Sequence, residues 1–276
     1  MPACWICEGP VVPCGRFAPE PFLECQSCGF AYRPDLDDAA LKQIYADGDY
    51  EEIRGEQYLA SLEARRSDAR VRLCYIRPWA QHGRLLDVGA AGGAFVAEAA
   101  LAGFDAIGIE PVPSFARAAR EELGVDVRDG SIEDSELSAC SYEVATLWHV
   151  LEHLRAPVDQ LRRLAQALSE GGTLAIEVPN AASAVAAHTG ASWASLEPKV
   201  HVNQFTPFSL RIALERAGFE ILDLRTTAIT PYLTTRARID PRHLAGRAKA
   251  AMWLRDPRCE HPWGHELLRS VARLSQ

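Results

Sequence analysis

Three groups of residues in this 276-residue chain combine types and spacings that chemistry requires. The first is an acid-and-glycine set, Leu85-Leu86-Asp87-Val88-Gly89-Ala90-Ala91-Gly92-Gly93 followed by Ala106-Ile107-Gly108-Ile109-Glu110-Pro111. A short apolar run ahead of glycines predicts a buried parallel strand turning into a helix over 95–101, and the next apolar run predicts a second strand that ends in an acid. Glu110 follows Asp87 by 23 positions, close to the roughly 20-residue interval at which a carboxylate meets a ribose diol in a βαβ nucleotide site. The second group is His149-x-x-Glu152-His153 with His201: imidazoles and a carboxylate able to take a proton from a nucleophile or to hold a divalent cation. The third is a pair of Cys-x-x-Cys motifs, Cys4 with Cys7 and Cys25 with Cys28, with 17 residues between them. That spacing reads as a zinc ribbon, four thiolates on one tetrahedral ion, and a segment of about 35 residues has too little core to fold without such a staple.

Asp87 narrows the choice of adenosine. A dinucleotide or ATP brings phosphate to the helix N-terminus, where a carboxylate two residues before the first glycine repels it. S-adenosylmethionine (SAM) brings no phosphate and carries an ammonium and a sulfonium, which the acid attracts. The pattern Asp87-x-Gly89-x-Ala91-x-Gly93 with Glu110 downstream resembles the class I SAM-dependent methyltransferases, with Ala91 standing where a glycine is usual. The resemblance implies that Asp87, Gly89, Ala91 and Gly93 hold the methionyl end of SAM and that Glu110, with Pro111, holds its ribose. Ser131 lies in the turn over 129–133 where such enzymes keep adenine, and Trp148 joins the cofactor set at the end of a later strand.

If residues 149–153 are helical, His149, Glu152 and His153 share one face. His201, on the loop after the next strand, converges with them. Methyl transfer is an in-line displacement, so positioning supplies most of the rate and the acceptor must shed a proton. A histidine base contributes roughly 10² to 10⁴-fold, and a divalent metal lowers the acceptor's pKa instead. The set His149, Glu152, His153 and His201 resembles the metal-binding constellation of small-RNA 2′-O-methyltransferases, with His149 in place of a Glu. Its Leu151-Glu152-His153 core is similar to that of ubiquinone-pathway O-methyltransferases. Three readings stay open: a histidine base (His153 or His201, with His149 in the pocket), a second divalent metal beside the structural zinc, or histidines without a chemical part.

The elements that must position these groups alternate. Further strands are expected over 125–128, 142–147, 173–178 and 220–224. Helices are expected over 117–123, capped by Ser114 and stopped at Gly124, and over 157–168, closed by Gly171-Gly172. Another begins at Thr206-Pro207 and stops at Gly218. This order predicts an α/β fold, a doubly wound, mostly parallel Rossmann-like sheet. The expected units are a zinc ribbon over 1–38, a helical linker or lid over 39–78 carrying Tyr45, Tyr50 and Tyr58, a SAM-binding domain over 79–226, and a helical extension over 227–276. Cys14, Cys74, Cys140 and Cys259 lack metal spacing and read as packing residues.

Composition bounds the partners. The net charge is −8, and residues 1–40 carry only Arg16 and Arg33 as basic groups against six acids, which disfavours a nucleic-acid surface. No apolar run reaches membrane-spanning length and no export signal opens the chain, so a cytoplasmic location is expected. Ribbon, lid, histidine motif and the Trp193 to His201-x-x-x-Phe205 segment together resemble, over about 4–225, bacterial zinc-ribbon methyltransferases that include tailoring enzymes of sugars and secondary metabolites. The expectation is a SAM-dependent methyltransferase acting on a hydroxyl of a small molecule. The alternatives are carbon methylation of an activated keto-sugar, RNA methylation guided by the ribbon, and a SAM-binding scaffold without turnover.

Overall fold

The computed structural model of the chain describes residues 2–37, 39–41, 43, 61–135, 137–227 and 265–275. It opens with three short strands, β1 (Val11–Pro13), β2 (Leu23–Cys25) and β3 (Ala31–Tyr32), paired antiparallel. Helix α1 (Leu62–Ile76) leads into β4 (Gly83–Val88), α2 (Ala94–Leu101) and β5 (Phe104–Glu110). Next come α3 (Pro113–Leu123), β6 (Val127–Asp129), β7 (Tyr142–Trp148), α4 (Pro157–Ala167) and β8 (Leu168–Pro179). The chain then gives α5 (Ala184–Thr189), β9 (Asn203–Gln204), α6 (Pro207–Arg216), β10 (Phe219–Thr227) and β11 (Leu267–Leu274).

Seven strands form the main sheet in the order β10-β11-β8-β7-β4-β5-β6. The neighbours from β8 to β6 are all parallel, as the near-continuous apolar runs of β4, β7 and β8 require of strands covered on both faces. The order reverses direction at β4 and β7, which places a crevice at their carboxyl ends, where open α/β sheets bind ligands. Leu86, Leu147, Ile176 and Leu268 pack on one face with α4 and α6 residues such as Leu161 and Leu210; Leu85, Val144 and Ala175 face Leu73 and Ile76 of α1 on the other.

Several expectations are corrected. The C-terminal residues 267–274 are a strand, not part of a helical extension. β11 runs antiparallel between β8 and β10, and Arg269 and Ser270, which break its apolar run, are buried inside the sheet. The helix after β5 is capped at Val112, not Ser114, because Pro113 takes the first helical position, where its missing N–H costs nothing. The next strand is Val127–Asp129. Gly171 and Gly172 do not close α4. They lie in a bulge at the start of β8, where the register jumps from Tyr142 opposite Leu168 to Val144 opposite Thr173. Cys14 is buried, but Cys74 and Cys140 are exposed and are not packing residues. Tyr45, Tyr50, Tyr58, Cys259 and residues 228–264 lie outside the described residues.

The ribbon does not stop at residue 38. Its fourth strand is β9, which pairs with β3. Phe30 meets Phe205 at 5.2 Å between ring centroids, and Cys14, Phe17 and Phe22 pack with Trp193 and Leu196. The N-terminal segment is therefore built around a loop of the larger sheet.

Candidate active site

Asp87 and Glu110 occupy the carboxyl ends of adjacent strands, and both are almost wholly enclosed. Strand register sets Asp87 opposite Thr146, whose hydroxyl donates to Asp87 Oδ1 at 2.6 Å. Burial pushes the Asp87 carboxyl up to about 7, with Thr146 and Arg72 working the other way. Glu110 accepts from Ala91 N–H at 2.8 Å and from Val112 N–H at 2.9 Å, so it fastens the glycine turn to the second strand. Burial raises it to about 7 as well.

The turn between them has no room for side chains. Gly89 has φ +69°, and a Cβ there would meet Val150 Cγ2 at 2.5 Å; at Gly93, φ +77°, a Cβ would lie 2.8 Å from both Ala119 and Val125. Ala91 takes φ +47°, a left-handed conformation that costs a non-glycine residue about 1 kcal/mol or more. Gly130 N–H donates to Glu110 O at 3.0 Å, which brings the turn carrying Ser131 beside Glu110. Ser131 Oγ there donates to Asp134 Oδ2 at 3.0 Å. Pro111 is exposed next to Glu110. Trp148 closes β7 against Phe95, 5.2 Å between centroids, and its buried indole N–H has no partner among the described residues. Asp87, Glu110 and Trp148 thus meet at the crevice, with Pro111 and Ser131 at the Glu110 side.

The histidine group assembles differently from a helix face. The segment bends at His149 and turns over residues 151–153, with His149 at φ +60° and its N–H donating to Glu177 O at 2.9 Å. His149 Nδ1 lies 3.3 Å from Glu152 and Nε2 lies 3.2 Å from Glu177, so it bridges two buried carboxylates. Burial opposes its charge, yet the two acids outweigh that and raise it to about 9. Both ring nitrogens of His149 are turned to these acids, and it stands outside the group of ligand atoms that come together. Glu152, His153 and His201 do converge, each offering a ligand atom within 4.8 Å of the others.

Their electrostatics suit a cation. Both Glu152 oxygens are buried; His149 Nδ1 stands 3.3 Å from Oε1, and Oε2 has no hydrogen-bond partner among the described residues. Burial would protonate Glu152, but His149 outweighs it and keeps the carboxyl below its ordinary range. Burial and then His201 push His153 down to about 4, so its ring is neutral. His153 Nδ1 is 3.1 Å from Val200 O and His201 Nδ1 is 2.8 Å from Ser195 O. Ring nitrogens facing carbonyls carry the proton there and leave Nε2 as the lone-pair atom, the arrangement that orients metal-ligating histidines.

Sequence reasoning missed the group beneath. Glu177 is fully buried, 2.7 Å from Arg72 Nη2 and 2.7 Å from Arg269 Nε. Burial opposes its charge, but Arg72, His149 and Arg269 hold it well below the glutamate range. A lone acid inside the apolar run of β8 was the available signal, since a buried charge requires partners.

At the ribbon, one sulfur of each cysteine lies within 4.8 Å of the other three. Cys4 and Cys28 are 3.7 Å apart and Cys7 and Cys25 are 3.4 Å apart. These are too long for disulfides and near the roughly 3.8 Å edge of a tetrahedron with 2.3 Å zinc–sulfur bonds. Ile6 and Ser27 N–H groups donate to Cys4 and Cys25 sulfurs at 3.4 Å each. The four residues fit zinc.

A family model described as a methyltransferase domain matches residues 58–224. The chain belongs to that family and is a SAM-dependent methyltransferase. The methyltransferase is 32% identical over 171 residues to a ubiquinone biosynthesis O-methyltransferase of Xanthomonas axonopodis pv. citri, covering 58% of this chain and 71% of the relative. Its fold is similar to that of a SAM-dependent methyltransferase from Archaeoglobus fulgidus (TM-score 0.57, 19% identity, 79% of this chain and 99% of that one). It is also similar to the Burkholderia thailandensis 1,6-didemethyltoxoflavin-N1-methyltransferase (TM-score 0.56, 16% identity, 90% and 96% coverage). No helix among the described residues is long and apolar enough to cross a membrane.

Proposed function

We propose that this methyltransferase moves the methyl group of SAM to a hydroxyl of a small molecule, and that Glu152, His153 and His201 form the acceptor side of its site. The observation that carries the reading is the Glu152 carboxylate, wholly enclosed, kept ionised by His149 and faced by two further histidines. The O-methyltransferase relative supports the choice of acceptor atom. SAM supplies an electrophilic methyl on a sulfonium. Asp87 and the Gly89–Gly93 turn receive the methionyl end, Glu110 with Pro111 receives the ribose, and Ser131 and Trp148 flank the adenosine. A divalent cation held by Glu152, His153 and His201 would draw down the pKa of the acceptor hydroxyl. The ionised Glu152, the neutral His153 and His201 supply the donor set for it, and the proton that the acceptor hydroxyl sheds passes to solvent. The four cysteines hold a structural zinc.

Label from methyl-labelled SAM, followed into hydroxylated small molecules with magnesium or manganese added, tests this. Glu152→Gln is expected to lower turnover at least about 100-fold, the scale of lost acid–base or metal assistance, with SAM affinity kept. Full activity of Glu152→Gln, or label appearing in RNA or at carbon, would overturn it.

A further inference from the structure

The two-residue strand β9 ties both halves of the acceptor cluster to the ribbon. On one side it pairs with β3, Ala31 opposite Gln204 and Tyr32 opposite Asn203. Arg33 extends the junction, its N–H donating to Val202 O at 2.9 Å and its Nη1 to Pro198 O at 2.6 Å. Residues 198–204, which carry His201, therefore hang from the ribbon. On the other side Asn203 clasps the turn that carries Glu152 and His153. Its backbone N–H donates to Glu152 O at 2.9 Å, and its Nδ2 donates to Leu151 O at 2.9 Å and Leu154 O at 2.6 Å.

The cysteine cluster is built into the same junction. Cys25 N–H donates to Phe30 O at 2.8 Å, Thr206 Oγ1 donates to Cys28 O at 3.1 Å, and the Tyr32 hydroxyl donates to Ala3 O at 3.0 Å. Two irregular loops have no intrinsic reason to hold three side chains together, since ordering each residue costs about 1–2 kcal/mol. The clasp and the strand pairing supply that order.

We propose that Asn203 is the positioning residue of the acceptor site, and that the ribbon, folded on its four cysteines, sets the distance between His201 and the Glu152–His153 turn. The ribbon then works as part of the active site and not as a separate recognition module. The proposal rests on the acceptor role of Glu152, His153 and His201.

The test follows histidine side-chain NMR signals of the full-length protein before and after a chelator withdraws zinc, and in Asn203→Leu and Arg33→Met. SAM affinity and kcat are measured alongside. Zinc withdrawal and Asn203→Leu are expected to move the His153 and His201 signals. They should lower kcat about 100-fold, the scale of an ångström of misplacement, and leave SAM affinity within about twofold. Arg33→Met, which keeps the side-chain stem at a partly exposed position, should act in the same direction and less. Asn203→Asp should not rescue, because its carboxylate would face two carbonyl oxygens. His153 and His201 signals that ignore zinc withdrawal overturn the proposal, as does SAM affinity that falls in step with kcat. Signals that move while kcat holds support the coupling and instead overturn the acceptor role of the cluster.

Discussion

Glu177→Gln should be among the most damaging conservative changes in this protein. The carboxylate is fully buried and meets Arg72 at 2.7 and 3.2 Å, Arg269 at 2.7 Å and His149 at 3.2 Å. The side chains of Arg269 and Arg72 are only 6% and 16% exposed. An amide keeps the shape and one acceptor oxygen, but leaves these cations enclosed without a counter-charge. Breaking a buried ion pair in this way costs about 3–5 kcal/mol. For a domain of this size that lowers the melting temperature by on the order of 10 °C.

Urea denaturation at pH 7, compared at unchanged slope, measures the effect. Glu63→Gln, which removes an exposed ion pair with Arg70, serves as the control and should be silent. A double variant with Arg269→Met should recover part of the loss, a coupling of about 1–3 kcal/mol. Because the folded Glu177 is held below its ordinary range, its contribution is complete above the unfolded glutamate value. The gap between wild type and Glu177→Gln is constant near neutrality, begins to narrow at the unfolded glutamate value and closes as the pH falls through the depressed folded value. A loss under about 1 kcal/mol at pH 7 would show that the three cations do not depend on this charge.

The pH dependence of SAM binding should run the other way. Asp87 and Glu110 are raised to about 7, so without ligand their own contribution to stability is greatest below the unfolded carboxylate range and is lost as the pH climbs through about 7. The cationic ligand favours the ionised acids, so binding should release protons and tighten between about pH 6 and 8, up to tenfold per unit for each proton released. Calorimetry in two buffers of different ionisation enthalpy reads this, and a pH-independent affinity contradicts it. Gly108→Ala should cost about 1–3 kcal/mol by overpacking, since its Cβ would lie 2.5 Å from Ala90 Cβ; an unchanged melting temperature counts against the packing described. Elemental analysis should find one zinc per chain, and Cys25→Ser should lose it.

Much of the crevice was legible because it is local. Asp87 and Glu110 end strands whose apolar runs can be read directly, and Gly89 and Gly93 sit where backbone approach leaves no room for a Cβ. The Thr206 cap with its Pro207, and the stop at Gly124, depend on residues within one turn, and both are present. Where a local signal competed with another, the closer constraint won: Pro113 displaced the Ser114 cap, and a strand bulge took the glycines expected to end α4.

Sequence by itself determined the parallel sheet, the acid-and-glycine crevice and the paired cysteines, because period, turn chemistry and short spacing act through neighbouring residues. Tertiary structure alone decided that His149 bridges Glu152 and Glu177 while His153 and His201 converge. It alone placed β11 inside the sheet with Arg269 beside Glu177, and set Asn203 between the ribbon and the histidine turn. The physical reason is distance along the chain: a buried charge or amide announces that it needs a partner, and only the folded path says which one it meets.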